Sequence, residues 1–186
     1  RSAGLWGRCV QDLLKESKLS VWRMPVSPNL AKVLGLIVSI AACQLVGAVG
    51  AIATSSSVRT WYQTLVKPSF NPPGWVFAPM WTDLYTLMGI AAWLVWKKGW
   101  AVPAVRTALI AFVVQLVLNA LWSWAFFGFR QPFWGLVDLF ALWAAIAVTL
   151  VLFLRISVAA GVLMTPYLLW VSFAGVLNYY IWRLNP

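Results

Sequence analysis

Side chains that commonly carry acid–base or metal chemistry are scarce in this chain. Its 186 residues include no histidine, two cysteines and four carboxylates, Asp12, Glu16, Asp83 and Asp138. Without imidazole there is no histidine base or nucleophile and no histidine ligand for a haem iron. Cys9 and Cys43 lie far apart in sequence with no metal-ligand spacing around them, so they suggest plain thiols. No glycine-rich phosphate loop, paired-carboxylate motif or Ser-His-Asp set is present. No catalytic residue and no metal ligand is therefore assigned, no cofactor is required, and enzymatic activity is not the expectation.

The residues that remain suit binding. Gln115, Asn119, Trp122 and Phe126 follow a 4-3-4 spacing that puts them on one helix face. Trp81, Tyr85, Met88 and Ala92 share a second such face, and Tyr167, Trp170, Ala174 and Leu177 a third. Three faces of this kind imply a common interior. Large aromatics turned into it would make flat walls suited to a planar apolar ligand. There are fourteen tryptophans. Trp61, Trp75, Trp96, Trp100 and Trp182 fit belts at the two membrane interfaces, whereas Trp81, Trp122, Trp143 and Trp170 fall deeper. A buried amide such as Asn119 is satisfied most simply by an interhelical hydrogen bond. Asp83 and Asp138 are the carboxylates of the spanning region, and pairing with Lys67, Arg130 or a loop donor would stabilise them there.

The elements that must hold these residues are membrane helices. Hydrophobic residues make up 62% of the chain and charged residues 10%, with a mean hydropathy of +0.83. About a quarter of the residues of a soluble domain are charged. The expected fold is an all-α, five-helix transmembrane bundle over residues 30–186, with spans near 30–53, 75–96, 104–127, 133–154 and 159–182. It follows a basic amphipathic segment, residues 1–29, that suits an anionic lipid surface and resembles a targeting presequence only weakly. The net charge of +10 falls between apolar stretches, which points to lipid phosphates and excludes nucleic acid as the expected partner. Ten basic residues flank the side that holds the amino terminus, against Arg59, Lys67, Arg130 and Arg183 on the other. The amino terminus is therefore expected inside.

Along the first span every fourth residue is small: Ala31, Gly35, Ser39, Cys43, Gly47, Ala51 and Ser55. This reads as a packing face, either within the bundle or against a second copy as a homodimer. Residues 54–74 read as a long, stiff loop closed by Pro68, Pro72 and Pro73.

The run Lys67-Pro68-Ser69-Phe70-Asn71-Pro72-Pro73-Gly74-Trp75-Val76-Phe77-Ala78-Pro79-Met80-Trp81, preceded by Trp61-Tyr62 and followed by Leu84-Tyr85, resembles the tryptophan-rich sensory protein family. That family is also called translocator protein or peripheral benzodiazepine receptor. Gln115 to Trp122, Phe126-Phe127-Gly128, Pro166 to Trp170 and Leu177 to Arg183 extend the likeness over about residues 30–185. The resemblance implies a five-helix receptor for porphyrins such as protoporphyrin IX, with cholesterol and benzodiazepine-type ligands in animal members. It implies a pocket under the first loop at Trp61, Trp81, Asn119, Trp170 and Ala174, lined further by Tyr85, Trp122 and Leu177. Leu177, Tyr179, Tyr180 and Arg183 also meet a loose sterol pattern that an interfacial anchor would meet equally. Transport of a tetrapyrrole or sterol is the alternative function, and porphyrin degradation a second alternative. The resemblance leaves bacterial envelope and mitochondrial outer membrane equally open.

Overall fold

The computed structural model describes residues 27–186. The amphipathic character expected of residues 1–29 therefore falls almost wholly outside the described residues. Six α-helices follow: α1 (Pro28–Val58), α2 (Trp61–Thr64), α3 (Phe77–Trp96), α4 (Pro103–Ser123), α5 (Pro132–Ile156) and α6 (Val158–Leu184). Proline opens α1, α4 and α5, positions where its missing N–H costs nothing. Ser157 caps α6 by accepting a hydrogen bond from the Ala160 N–H.

Four of the helices, α1, α4, α5 and α6, are long and apolar enough to cross a membrane. Helix α3 has 20 residues but carries Asp83, Thr82, Thr86, Tyr85 and three tryptophans, and it falls short on apolarity. The expected count of five spans thus stands at four on these criteria, with α2 an addition the sequence did not suggest.

The expected loop 54–74 is also corrected at its start. Helix α1 continues to Val58 because its terminal hydroxyls bond back along the helix: Thr54 to the Gly50 carbonyl, Ser55 to that of Ile52 and Ser56 to that of Ala53. Polar side chains satisfied in this way need not end a helix. A 3₁₀ turn at Gly74–Val76 leads into α3, and Pro79 sits within the first turn of that helix, where it is tolerated. Helix α4 passes into a π-helical turn, Trp124–Gly128, that carries the chain to the turn before α5.

The middle of the small-residue stripe of α1, Gly35, Ser39, Cys43 and Gly47, packs within the chain, while Ala31 at its start is exposed. Ile40 approaches Gly89 of α3 so closely that a Cβ there would come 2.6 Å from the Ile40 Cα. Ser39 donates to the Gly89 carbonyl (2.8 Å). Gln44 donates to the Thr82 carbonyl (2.9 Å) and the Thr86 hydroxyl (3.0 Å). Cys43 is buried, and a Cβ at Gly47 would overlap the Tyr85 ring. Beyond Gly47 the inner face moves to Gly50, Ala53 and Ser57, while Ala51 and Ser55 are exposed. A four-residue step overshoots one turn of a 3.6-residue helix, so a seven-member series must wind off the contact face.

Candidate functional site

The three faces read from spacing converge. Met88, Gln115 and Tyr167 are fully buried, Asn119 and Phe126 nearly so, and Trp81, Trp122 and Trp170 are half-buried where α3, α4 and α6 meet. They form two layers.

The upper layer is a cavity of about 40 Å³. Of the expected residues, Trp81, Trp122, Trp170, Ala174 and Leu177 line it. Its aromatic walls interlock: Trp122 stacks on Phe126 (5.6 Å between centroids), Trp81 lies 6.5 Å from Trp122, and Phe77 meets Trp170 edge-on at 5.9 Å. Such pairs are worth about 0.5–1.5 kcal/mol each beyond area burial, so the pocket is a filled aromatic cluster with little free space.

The lower layer is polar. Tyr85 donates its hydroxyl proton to Asn119 Oδ1, and Asn119 Nδ2 donates to the Tyr167 hydroxyl at 2.9 Å. This ties α3, α4 and α6 together. Trp81 links the layers, stacking on Tyr85 (5.6 Å) and meeting Tyr167 edge-on (6.3 Å). Asn119 and Tyr85 therefore lie below the cavity, with the amide engaged by protein groups on both of its atoms. Trp61 is placed beside the cavity, on Phe126 at 5.8 Å.

Asn178 is the polar residue that does line the cavity. Its Oδ1 accepts from the Trp122 indole N–H at 3.3 Å, and its Nδ2 donates to the Pro132 carbonyl at 2.7 Å. The spacing faces of the sequence do not include it, nor Tyr62, Phe77, Phe127 and Ile181. The available signal was the continuation of the Trp170, Ala174 series by four residues to Asn178. Tyr62 could not be found this way, since it stands on α2, outside any long helix.

The loop covers this layer. Tyr62 donates to Asn71 Oδ1 (3.0 Å), Lys67 Nζ lies 4.8 Å from the Tyr62 ring centre and donates to the Leu65 carbonyl (3.1 Å), and Phe70 meets Tyr180 edge-on at 5.4 Å. Burial pushes the Tyr62 phenol above its ordinary pKa, which keeps it a donor to Asn71. The sterol pattern divides: Leu177 is buried in the cavity wall, while Tyr179, Tyr180 and Arg183 are exposed. Asp83 is exposed on α3. Asp138 Oδ2 is buried without a hydrogen-bond partner, so the pairing expected of that carboxylate is not made there. Trp143, expected deep, is 42% exposed and donates to the Ser172 hydroxyl at 2.8 Å. Among the described residues no group of His, Cys, Asp or Glu could hold a metal ion.

A multi-pass helical membrane protein with an aromatic cluster closed under a proline-rich loop is the class these features define. The family model described as TspO/MBR family matches residues 39–183, and the chain belongs to that family. It is 44% identical over 155 residues to the tryptophan-rich protein TspO of Chlorobaculum tepidum, covering 83% of this chain and 98% of the relative. It is 45% identical over 127 residues to the translocator protein of Homo sapiens, covering 67% and 75%. To the tryptophan-rich sensory protein of Cereibacter sphaeroides it is 38% identical over 141 residues, covering 74% and 87%. The chain is accordingly an integral membrane protein whose long helices lie in a lipid bilayer.

Proposed function

We propose that this protein is a membrane receptor or sensor that binds a porphyrin of the protoporphyrin IX kind, or a similar flat amphiphile, among the tryptophans of the bundle. The supporting observation is that Trp81, Trp122 and Trp170, from three helices, border one cavity under the loop. Names of relatives such as tryptophan-rich sensory protein and translocator protein agree with a role in sensing or translocation.

The cavity holds about 40 Å³, whereas sites for drug-sized ligands are commonly 300–1,000 Å³. Binding therefore requires the loop and the aromatic walls to part. Offset stacking on indole rings is the natural interaction for a flat macrocycle. Asn178 supplies the polar contact at the wall, with Trp122 freed as a second donor when their long hydrogen bond opens. In this reading α3 is the fifth span, with Thr86 turned to α1 and Tyr85 to the interior.

Titration of purified protein with metal-free protoporphyrin, followed by tryptophan fluorescence, tests the proposal. Saturable quenching is expected, with affinity lost at least tenfold in Trp81→Ala or Trp170→Ala, about the worth of one buried aromatic contact. Unchanged affinity in both variants would remove the pocket from consideration.

A further inference from the structure

Besides the ring contacts of Phe70 with Phe173 and Tyr180, the loop over the cavity is hydrogen-bonded to the far end of α6 by one side chain. Asn185, just past α6, turns its amide onto the backbone of Val66: Oδ1 accepts from the Val66 N–H at 3.0 Å, and Nδ2 donates to the Val66 carbonyl at 2.9 Å. The same Nδ2 donates to the Ile181 carbonyl at 2.8 Å, which holds the amide in register with the helix. An amide that satisfies the N–H and the C=O of one residue acts like the hydrogen-bonded pair of an antiparallel β-ladder. It does so across 119 residues of sequence.

Both ends of this connection belong to the cavity. Leu65, adjacent to Val66, packs into the cluster of Phe126, Leu177 and Ile181. Ile181, one turn before Asn185, is itself a cavity wall. Tyr62, which also lines the cavity, is tied by its hydroxyl to Asn71 further along the same loop. Fixing residue 66 to α6 therefore holds Leu65 and the segment leading to Tyr62 against the cavity. Val66 is 57% exposed, so its side chain adds little to hold it down, and at this residue the backbone hydrogen bonds carry the attachment, alongside Leu65 and Phe70 on either side.

We infer that Asn185 is a positioning residue that latches the loop shut and sets the rate at which a ligand enters and leaves the aromatic cavity. The inference rests on the cavity being the ligand site. Two ordinary hydrogen bonds correspond to a change of about tenfold in the open fraction of the loop. A latch that acts alike on empty and filled cavity changes both rates together and leaves affinity nearly unchanged. A contact that held the ligand, or a residue needed only for the fold, would not produce that pattern.

The test uses the full chain in lipid nanodiscs, as wild type, Asn185→Ala and Asn185→Asp. Hydrogen exchange of the Val66 amide, measured without ligand, reads the latch directly; stopped-flow tryptophan quenching by protoporphyrin reads the gate. Asn185→Ala should speed Val66 exchange and raise association and dissociation rates about tenfold, with affinity altered less than about twofold. Asn185→Asp keeps the acceptor, loses the donor and should fall between. Faster exchange with unchanged quenching rates would overturn the gating role, and unchanged exchange would overturn the latch itself. If wild type shows no quenching at any concentration, the ligand proposal fails, and exchange at Val66 still decides whether Asn185 holds the loop.

Discussion

Asn119 and Asn178 are both buried amides in spanning helices, yet their surroundings give them different work. Asn119 is bonded by two tyrosines from neighbouring helices, so replacing it leaves two phenols without partners in a closed interior. Asn119→Leu should cost about 1–3 kcal/mol in stability, read as a lower melting temperature in detergent, and should alter protoporphyrin affinity much less than Trp81→Ala does. An affinity loss with stability intact would place the amide on the ligand instead. Asn178 has a long hydrogen bond to Trp122, facing the cavity, and a short one behind it to the Pro132 carbonyl. Asn178→Leu keeps the volume and removes the polar contact, and is expected to weaken protoporphyrin binding several-fold, about the worth of one hydrogen bond, as measured by the same quenching titration. Unchanged affinity would show that the wall is read by stacking alone.

Helix α1 is held by close approach, with Gly89 of α3 against the Ile40 backbone and Gly47 under the Tyr85 ring. Gly89→Val should separate α1 from α3, break the Ser39 hydrogen bond to the Gly89 carbonyl and lower stability by about 1–3 kcal/mol, measured as the melting temperature. Ala51→Val, on an exposed part of the same four-residue series, should change it little. The sequence announced these contacts by residue size, and period alone placed Gln115, Asn119, Trp122 and Phe126 on an inward face. The rest was hidden for definite reasons. A strict four-residue series winds round a helix, so Ala51 and Ser55 looked like contacts and Gly50, Ala53 and Ser57 did not. Serine and threonine at the end of α1 looked like loop residues because their internal hydrogen bonds cannot be seen in composition. Tyr62, Leu65 and Asn185 meet the cavity or its cover through chain reversals that no periodicity reports. Trp61, Tyr85 and Asn119, which the resemblance implies as pocket residues, stand beside or below the cavity, because depth along the bundle, which separates the cavity from the tyrosine layer beneath it, is set by helix tilt and offset.

The whole bundle must also be oriented in its membrane, and here α3 decides. It is the long helix that does not count as a span by length and composition, yet Gln44, midway along α1, bonds to Thr82 and Thr86, and Gly35 of α1 lies against Trp96 at the other end of α3. Helix α3 thus runs antiparallel beside a helix that is long and apolar enough to span, and its Thr82, Tyr85 and Thr86 are hydrogen-bonded by protein, while Asp83 is exposed. If α3 crosses, the turn at residues 97–102 and the loop at residues 65–73 emerge on opposite faces. The basic residues Lys97, Lys98, Arg106 and Arg155 then lie on the amino-terminal side, as the positive-inside rule requires. Single cysteines placed by Gly99→Cys and Ser69→Cys, each in a Cys9→Ser, Cys43→Ala background, should react with an impermeant maleimide from opposite sides of sealed vesicles. Gly99 tolerates this least on backbone grounds, with φ at +107°, so Lys98→Cys serves as its duplicate. Labelling of both sites from one side would make α3 a re-entrant helix and leave four spans. The cavity would then open between a re-entrant segment and its neighbours, and ligand access would no longer depend on the Asn185 latch alone.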